Sequence, residues 1–421
     1  MAKNNIIDLY CFGLDIGKIG YDENGKKSFF QYNPAFLKSG LYPNLFPLIF
    51  KRIESVQVFS QFEGESFRGL PPMIADSLPD VFGNIIFKTW LESSKKDFKK
   101  ISVLEQLAYV SNRGMGALEY KPSKKIAKGT SIDIEEISQI LKQVLDNKQN
   151  TSELNLDSSA LLNIFKIGTS AGGARPKILI SEYRKTGQII PGDLEFSDEF
   201  DHYLVKLNLG DEGDFNREKI EYCYYLTAIS LGIRMMPSKL IDDKHFATLR
   251  FDRQNGQKRH ILTASGMTGW DFKNPDVSNY ENLFELSTFL KLSPKEIDEL
   301  FARMIFNLVF CNTDDHLKNH SFIYDQTNDQ WALSPAYDIT YSLNPFLNYK
   351  RISRALSINN KRMDIELTGI LQIADKYTIK NPKGIIENIQ NGIELWKQNA
   401  DKLGISERVI SSIVKDFRVF L

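Results

Sequence analysis

Apolar positions recur along this chain at two periods, and the change of period divides it. In the first fifty residues short apolar runs (Leu9–Leu14, Gly25–Tyr32) alternate with Gly, Asn and Pro turns such as Tyr42-Pro43-Asn44-Leu45. That pattern predicts small strands and hairpins. Residues 53–60, Ile-Glu-Ser-Val-Gln-Val-Phe-Ser, read as a further strand. Apolar spacings of three and four then predict helices over 82–94 and 101–111. A polar stretch from Lys121 to Ser159, with one helix predicted at 133–146, reads as a junction between two units.

From about 160 to 262 the period of two dominates again. Lys177–Glu182 and Tyr203–Asn208 read as strands, joined by a turn near Pro191-Gly192. Residues 216–231 form an amphipathic helix, capped by Asp214 and followed by Gly232. Thr248–Arg253 and Lys258–Thr263 read as two short strands around the turn Gln254-Asn255-Gly256-Gln257. After residue 280 the pattern turns mainly helical through Leu421, with Pro and Gly at the joints. The expectation is an α+β protein in three parts, 1–150, 151–262 and 263–421. A β-rich lobe followed by a helical one is the order of a two-lobed kinase, which many α+β proteins share.

Composition narrows the class. Hydrophobic residues make up 42% and charged residues 25% of the 421, a profile that excludes a disordered chain. Lys+Arg and Asp+Glu are both 53, so broad nonspecific nucleic-acid binding by this chain is not expected. Cys11, Cys223 and Cys311 are scattered through apolar stretches and form no CxxC pair, which predicts buried free thiols of a reducing cytoplasm. The opening Met-Ala-Lys-Asn-Asn-Ile-Ile-Asp meets Asp8 before any apolar signal core forms. With no apolar run near the roughly 18 residues of a membrane span, the expected location is cytoplasmic.

The chemistry concentrates in Asn312-Thr313-Asp314-Asp315-His316-Leu317-Lys318-Asn319-His320, directly after the apolar run Leu300–Cys311. Asp314 and Asn319 stand five apart, and Asp338 follows in Leu333-Ser334-Pro335-Ala336-Tyr337-Asp338. Kinase catalytic loops use such a set: an Asp that accepts the hydroxyl proton, an Asn five residues on, and a later Asp that holds Mg²⁺. Phosphoryl transfer is mostly positioning and charge neutralisation, so hard oxygen ligands are the groups it needs. A polar loop capping two helices would use the same residue types.

Gly168-Thr169-Ser170-Ala171-Gly172-Gly173-Ala174-Arg175-Pro176-Lys177 places three glycines within six residues. Small side chains let backbone amides approach an anion, or simply make a tight turn. The segment is neither a Walker A loop nor the Gly-x-Gly-x-x-Gly of eukaryotic kinases. Ser170 is either a small turn residue or an exposed phosphate acceptor. Lys206, within Tyr203-Leu204-Val205-Lys206-Leu207-Asn208, either faces solvent or reaches phosphates, as the strand lysine of kinases does. Glu221 on the next helix is its candidate partner, with Glu218 a competing choice.

Together these segments strongly resemble the HipA family of bacterial toxin Ser/Thr kinases. Ser170 to Lys177, Leu204-Val205-Lys206, Leu249-Arg250-Phe251-Asp252-Arg253, Asn312 to Asn319 and Leu333 to Asp338 carry the resemblance, in the family's order. Upstream, Gly69-Leu70-Pro71-Pro72, Leu78-Pro79-Asp80 and Gly114 to Tyr120 look like its amino-terminal subdomain. The resemblance implies a two-lobed protein-kinase-like fold, β-rich then mainly α-helical, behind an extra N-terminal subdomain. The three parts then read as that subdomain, a kinase N-lobe with its glycine-rich loop, and a helical C-lobe with the catalytic loop.

It further implies ATP and Mg²⁺ as cofactors, Asp314 as catalytic base, and Asn319 and Asp338 as metal ligands. Ser170, Ala171, Gly172, Gly173 and Ala174 would cover the phosphates, Lys206 would hold them, and the backbone around Leu249 and Phe251 would read adenine. Ser170 matches the serine that such kinases autophosphorylate, an event that shuts activity down; Thr169 is an alternative acceptor. The implied partner is a separately encoded helix-turn-helix antitoxin (HipB-like), with DNA reached only through it. The implied targets are translation proteins such as aminoacyl-tRNA synthetases.

Three other readings compete. His316 and His320, four apart, would share a helical face as a zinc pair, although no Glu general base lies between them. A small-molecule phosphotransferase uses similar Asp/Asn/Asp logic. A catalytically silent partner of a repressor would keep the fold and lose transfer.

Overall fold

The computed structural model describes residues 6–79, 81–93, 96–123, 133–146, 175–192, 197–210 and 213–421. Two compact units divide the chain, residues 1–209 with 247–262 and residues 210–246 with 263–421. The glycine-rich segment, including Thr169, Ser170, Ala171, Gly172, Gly173 and Ala174, lies outside the described residues.

The first unit opens with strands β1 (Ile6–Cys11), β2 (Leu14–Asp22), β3 (Lys27–Tyr32) and β4 (Gln57–Phe59). With β5 (Leu118–Lys121) they form an antiparallel sheet in the order β4-β3-β2-β1-β5. Leu9, Cys11, Ile19 and Phe30 turn inward from it, and Phe30 stacks on Phe50 at 3.9 Å. The strand expected over 53–60 shrinks to three residues. The Gln57 amide bonds both the N–H and the C=O of Lys51, which folds the preceding residues into a loop. Helices α1 (Pro34–Ser39) and α2 (Pro72–Ala75) are short, and α3 (Val81–Ser93), α4 (Val103–Val110) and α5 (Ile134–Asp146) follow the apolar spacing. A capping box starts α4, the Ser102 hydroxyl accepting from the Glu105 N–H and the Glu105 carboxylate from the Ser102 N–H.

The second sheet of this unit carries β6 (Lys177–Tyr183), β7 (Ile189–Pro191) and β8 (Phe200–Lys206) in the order β7-β6-β8. Strand β9 (Ser238–Ile241) lies in the other unit, and β10 (His245–Leu249) leads back to Arg250, whose N–H donates to the His202 carbonyl within β8. The strand expected over 248–253 breaks at Leu249. Asp252 is drawn inward by Arg250, Arg253 and the Gly116 N–H, so the backbone turns before resuming as β11 (Arg253–Gln254). An Asn255-Gly256 turn, both residues at positive φ, leads to β12 (Gln257–Lys258). Next comes β13 (Ile261–Thr263).

His260 precedes β13, fully buried, with Phe12 and Phe46 presenting ring edges to it. Burial lowers its pKa to about 3. In the unfolded chain the imidazole keeps its ordinary value near 6.5, so the unfolded state binds the proton first as pH falls. The folded value is depressed, so this stability is present above about pH 6.5 and lost downward toward the folded value. Between pH 6.5 and 5 the loss is about 2 kcal/mol, from 1.36 kcal/mol for each pH unit. The expected result is that His260→Phe, which stays neutral, shows a smaller shift of urea midpoint between pH 7 and pH 5 than the native chain does. Equal shifts would assign the acid sensitivity elsewhere.

The second unit packs α6 (Arg217–Ser230), α7 (Ala264–Thr268), α8 (Tyr280–Phe289) and α9 (Pro294–Val309) with α10 (Leu367–Lys376), α11 (Pro382–Lys402) and α12 (Glu407–Val414). Tyr224 of α6 sits in an aromatic cluster with Phe306, Phe310, Trp396 and Phe417, and its hydroxyl donates to the Phe310 carbonyl. Gly392 lets α11 approach Leu231, since a Cβ there would meet the Leu231 side chain at 2.4 Å. The helical run expected after residue 280 is interrupted by a hairpin, β14 (Ser321–Asp325) and β15 (Gln330–Leu333), and residues 334–366 form no helix. The hairpin pairs Phe322 with Leu333 and Tyr324 with Trp331. The three cysteines are free and buried. Among the described residues no helix is long and apolar enough to cross a membrane.

Candidate active site

The end of α9 sets up the loop that carries the chemistry. Helix propagation stops at Cys311, whose backbone takes a left-handed φ of 54°. Asn312 and Asp315 point inward and are buried, while Asp314 between them leaves 69% of its side chain exposed. The Asn319 side-chain amide donates to the Asp314 carbonyl at 2.7 Å, fixing the five-residue spacing as one closed turn. Asp314 is therefore a carboxylate presented to solvent from a backbone held at both ends.

Asp338 stands on a neighbouring loop. Ala336, two residues earlier, bridges to Met235 and donates its N–H to the Arg234 carbonyl, and Arg303 donates to the Ser334 carbonyl. The Tyr337 hydroxyl donates to the carbonyl of Lys318, so the residue before Asp338 is tied to the residue before Asn319. Asp338 takes a φ of 57°, a left-handed conformation that Asp tolerates better than most residues. Backbone outliers of this kind concentrate at functional sites.

His316 and His320 do not share a helical face. They flank the 3-10 turn Leu317–Asn319, both with extended backbone, because the loop closes through Asn319 rather than winding into an α-helix. His320 is buried, and burial lowers its pKa to about 4. His316 lies 3.9 Å from Asp314. Among the described residues no three His, Cys, Asp or Glu side chains gather as a metal set.

In the first unit Lys206 ends β8 rather than lying mid-strand, and it is buried instead of facing solvent. Its register partner in β6 is Lys177, also buried. Like charges directly opposite on a sheet repel. Lys177 closes the motif Ser170 to Lys177, and the strand register sets it opposite Lys206. Leu249 and Phe251 are half-buried around the turned-in Arg250. Glu218 and Glu221 both lie buried on α6 in the other unit.

Residues 169–419 match the HipA-like C-terminal domain, and residues 7–121 match the HipA N-terminal domain. The chain belongs to the HipA family. A "Putative kinase Y4dM" of Sinorhizobium fredii is 24% identical over 176 residues, 40% of this chain and 41% of that protein. The chain thus spans less than half the length of this curated relative. The HipA structure from the Shewanella oneidensis MR-1 toxin–antitoxin system, solved with HipB and operator DNA, superposes over 97% of this chain and 94% of its own. Its TM-score is 0.63 at 17% identity, a likeness of fold. The Helicobacter pylori proinflammatory kinase CtkA overlaps 51% of the chain loosely, at 13% identity and a TM-score of 0.38. The fold is the α+β fold of HipA proteins.

The two matched regions of this HipA chain are joined through buried charges. Asp252 accepts from Arg250, from Arg253 and from the Gly116 N–H, and Arg253 donates to the Gly114 and Gly116 carbonyls. Burial favours the protonated Asp252 carboxyl, but the two guanidiniums outweigh it and hold the pKa well below the usual carboxylate range. Gly116, at φ 77°, passes so close to Ile261 that a Cβ would meet it at 3.2 Å.

Proposed function

We propose that this HipA-family chain is an ATP- and Mg²⁺-dependent serine/threonine protein kinase, the toxin of a toxin–antitoxin pair. The observation that carries the reading is the closed turn in which Asn319 holds the Asp314 carbonyl while the Asp314 carboxylate faces solvent. Asp314 is the base that accepts the proton of the acceptor hydroxyl. Asn319 and Asp338 supply the hard oxygens that suit magnesium, which is commonly held by one or two carboxylates plus substrate phosphates. Lys206 receives the phosphates, and the backbone at Leu249 and Phe251 receives adenine. Bound there, MgATP would supply the phosphoryl group and neutralise its charge.

Ser170, Ala171, Gly172, Gly173 and Ala174 form the phosphate cover, and Ser170 is the self-inhibitory acceptor. The division into 1–150, 151–262 and 263–421 follows the same reading. A helix-turn-helix antitoxin is the partner, DNA is reached through it, and a cytoplasmic translation protein is the target. Net charge near zero fits a chain that leaves DNA binding to its partner.

The test is the intact mass of dephosphorylated protein after incubation with MgATP, with phosphopeptides mapped. A gain of about 80 Da per phosphoryl group at Ser170 is expected. A gain confined to Thr169 would move the acceptor by one residue. ATP binding without transfer to itself or to any protein would turn the reading toward a small-molecule phosphotransferase or a silent partner.

A further inference from the structure

Asp315 is adjacent to the proposed base and has the opposite environment: its side chain is fully buried. Its Oδ2 accepts from the Tyr280 hydroxyl at 2.6 Å and from the Arg354 guanidinium at 2.5 Å. The Tyr280 hydroxyl in turn accepts from the Asn307 amide, whose carbonyl oxygen accepts from Asn312. Arg354 also reaches the Asn312 carbonyl at 3.4 Å. The circuit closes on itself, and it spans α8, α9, the catalytic loop and the segment that follows Asp338.

That later segment is tied down at successive residues. Ala355 donates its N–H to the Thr313 carbonyl, Ser357 donates to Ser278, and Tyr280 donates to Ser357. Thr313 receives a second brace, its N–H donating to the Ser342 hydroxyl at 2.9 Å. Buried ion pairs contribute little net stability over apolar replacements, so their use here points to specifying one arrangement.

We propose that Asp315 is the positioning residue of the catalytic loop. Asp314 and Asp315 share a peptide unit. With the Asp315 carboxylate clamped inward by Tyr280 and Arg354, the backbone cannot rotate without breaking the circuit, and Asp314 is held outward. The same clamp locks residues 354–357 beside the base. This inference rests on the reading of Asp314 as the base.

The experiment compares native protein, Asp315→Asn and Tyr280→Phe in single-turnover phosphorylation, well below each variant's unfolding midpoint. Amide hydrogen exchange is measured in parallel over 312–319 and 353–357. Tyr280→Phe removes one hydroxyl and keeps the ring, so it remains folded even where Asp315→Asn does not. Misplacing a base by about 1 Å costs on the order of 100-fold. The expected loss is therefore roughly 10- to 100-fold in kcat, with KM for ATP little changed, because the base acts in the transition state rather than in ATP binding. Exchange should quicken in both segments together.

A kcat within about twofold of native in folded Tyr280→Phe and Asp315→Asn overturns the proposal, being far below the loss that misplacement predicts. So does a loss confined to ATP affinity, or one that merely follows thermal unfolding. Should the native protein bind ATP and transfer nothing, the kinase reading falls by itself. The clamp is then decided by exchange, and unaltered exchange at 353–357 in Tyr280→Phe overturns it.

Discussion

Asp314→Asn is expected to abolish phosphoryl transfer, with a loss on the order of 10²- to 10⁴-fold or more in kcat, while leaving the fold and ATP binding intact. The side chain is largely exposed, so its replacement removes no packing. The bond that shapes the loop runs from Asn319 to the Asp314 backbone carbonyl, which the substitution keeps. What disappears is the basic oxygen. Removing a group that acts only in the transition state lowers kcat and kcat/KM together. The comparison needs transfer to protein, ATP affinity by calorimetry, and circular dichroism of both proteins. Undiminished transfer with a native spectrum would remove Asp314 from its role. Lost transfer together with lost ATP binding would show the loop to be a binding element instead.

Much of this site was legible because its chemistry is local in sequence. The Asp314–Asn319 spacing predicts a turn, and one side-chain-to-backbone bond realises it. Helices α3, α4 and α5 fall within two residues of their expected bounds, since their apolar stripes are long enough to define a period. The hairpin β14–β15 was missed because Phe322-Ile323-Tyr324 is a short apolar run buried throughout, which periodicity does not separate from helix. Nor does spacing show long-range partners. Asp315 meets Tyr280 and Arg354 across 35 and 39 residues, and Arg253 meets Gly114 across 139. Lys177 lay in plain view beside the glycine-rich stretch, yet only the register of β6 on β8 brings it opposite Lys206.

The largest stability loss is expected at Asp252. Asp252→Asn keeps the shape of the side chain but leaves Arg250 and Arg253 buried without their carboxylate, and breaking a buried pair costs about 3–5 kcal/mol. Against a usual total of roughly 5–15 kcal/mol, that is enough to leave the protein marginal. Urea unfolding should show a lower midpoint at unchanged slope. Replacing all three charges at once, with Arg250→Met, Asp252→Leu and Arg253→Met, should destabilise less than the single change, because no charge is stranded. If the triple variant is the worse of the two, bonds from Arg253 to the Gly114 and Gly116 carbonyls, rather than charge balance, hold the junction. The pH dependence has a definite sign. The folded pKa is depressed, so this stability is present above the ordinary carboxylate value and is lost as pH falls through the folded one. The gap between native protein and Asp252→Asn should therefore stay constant from neutral pH down to about pH 4 and narrow only below it. Because Leu249 and Phe251 flank the same turn, ATP affinity measured where the variant is still folded should fall as well. Unchanged affinity would separate the buried triad from the proposed adenine hinge.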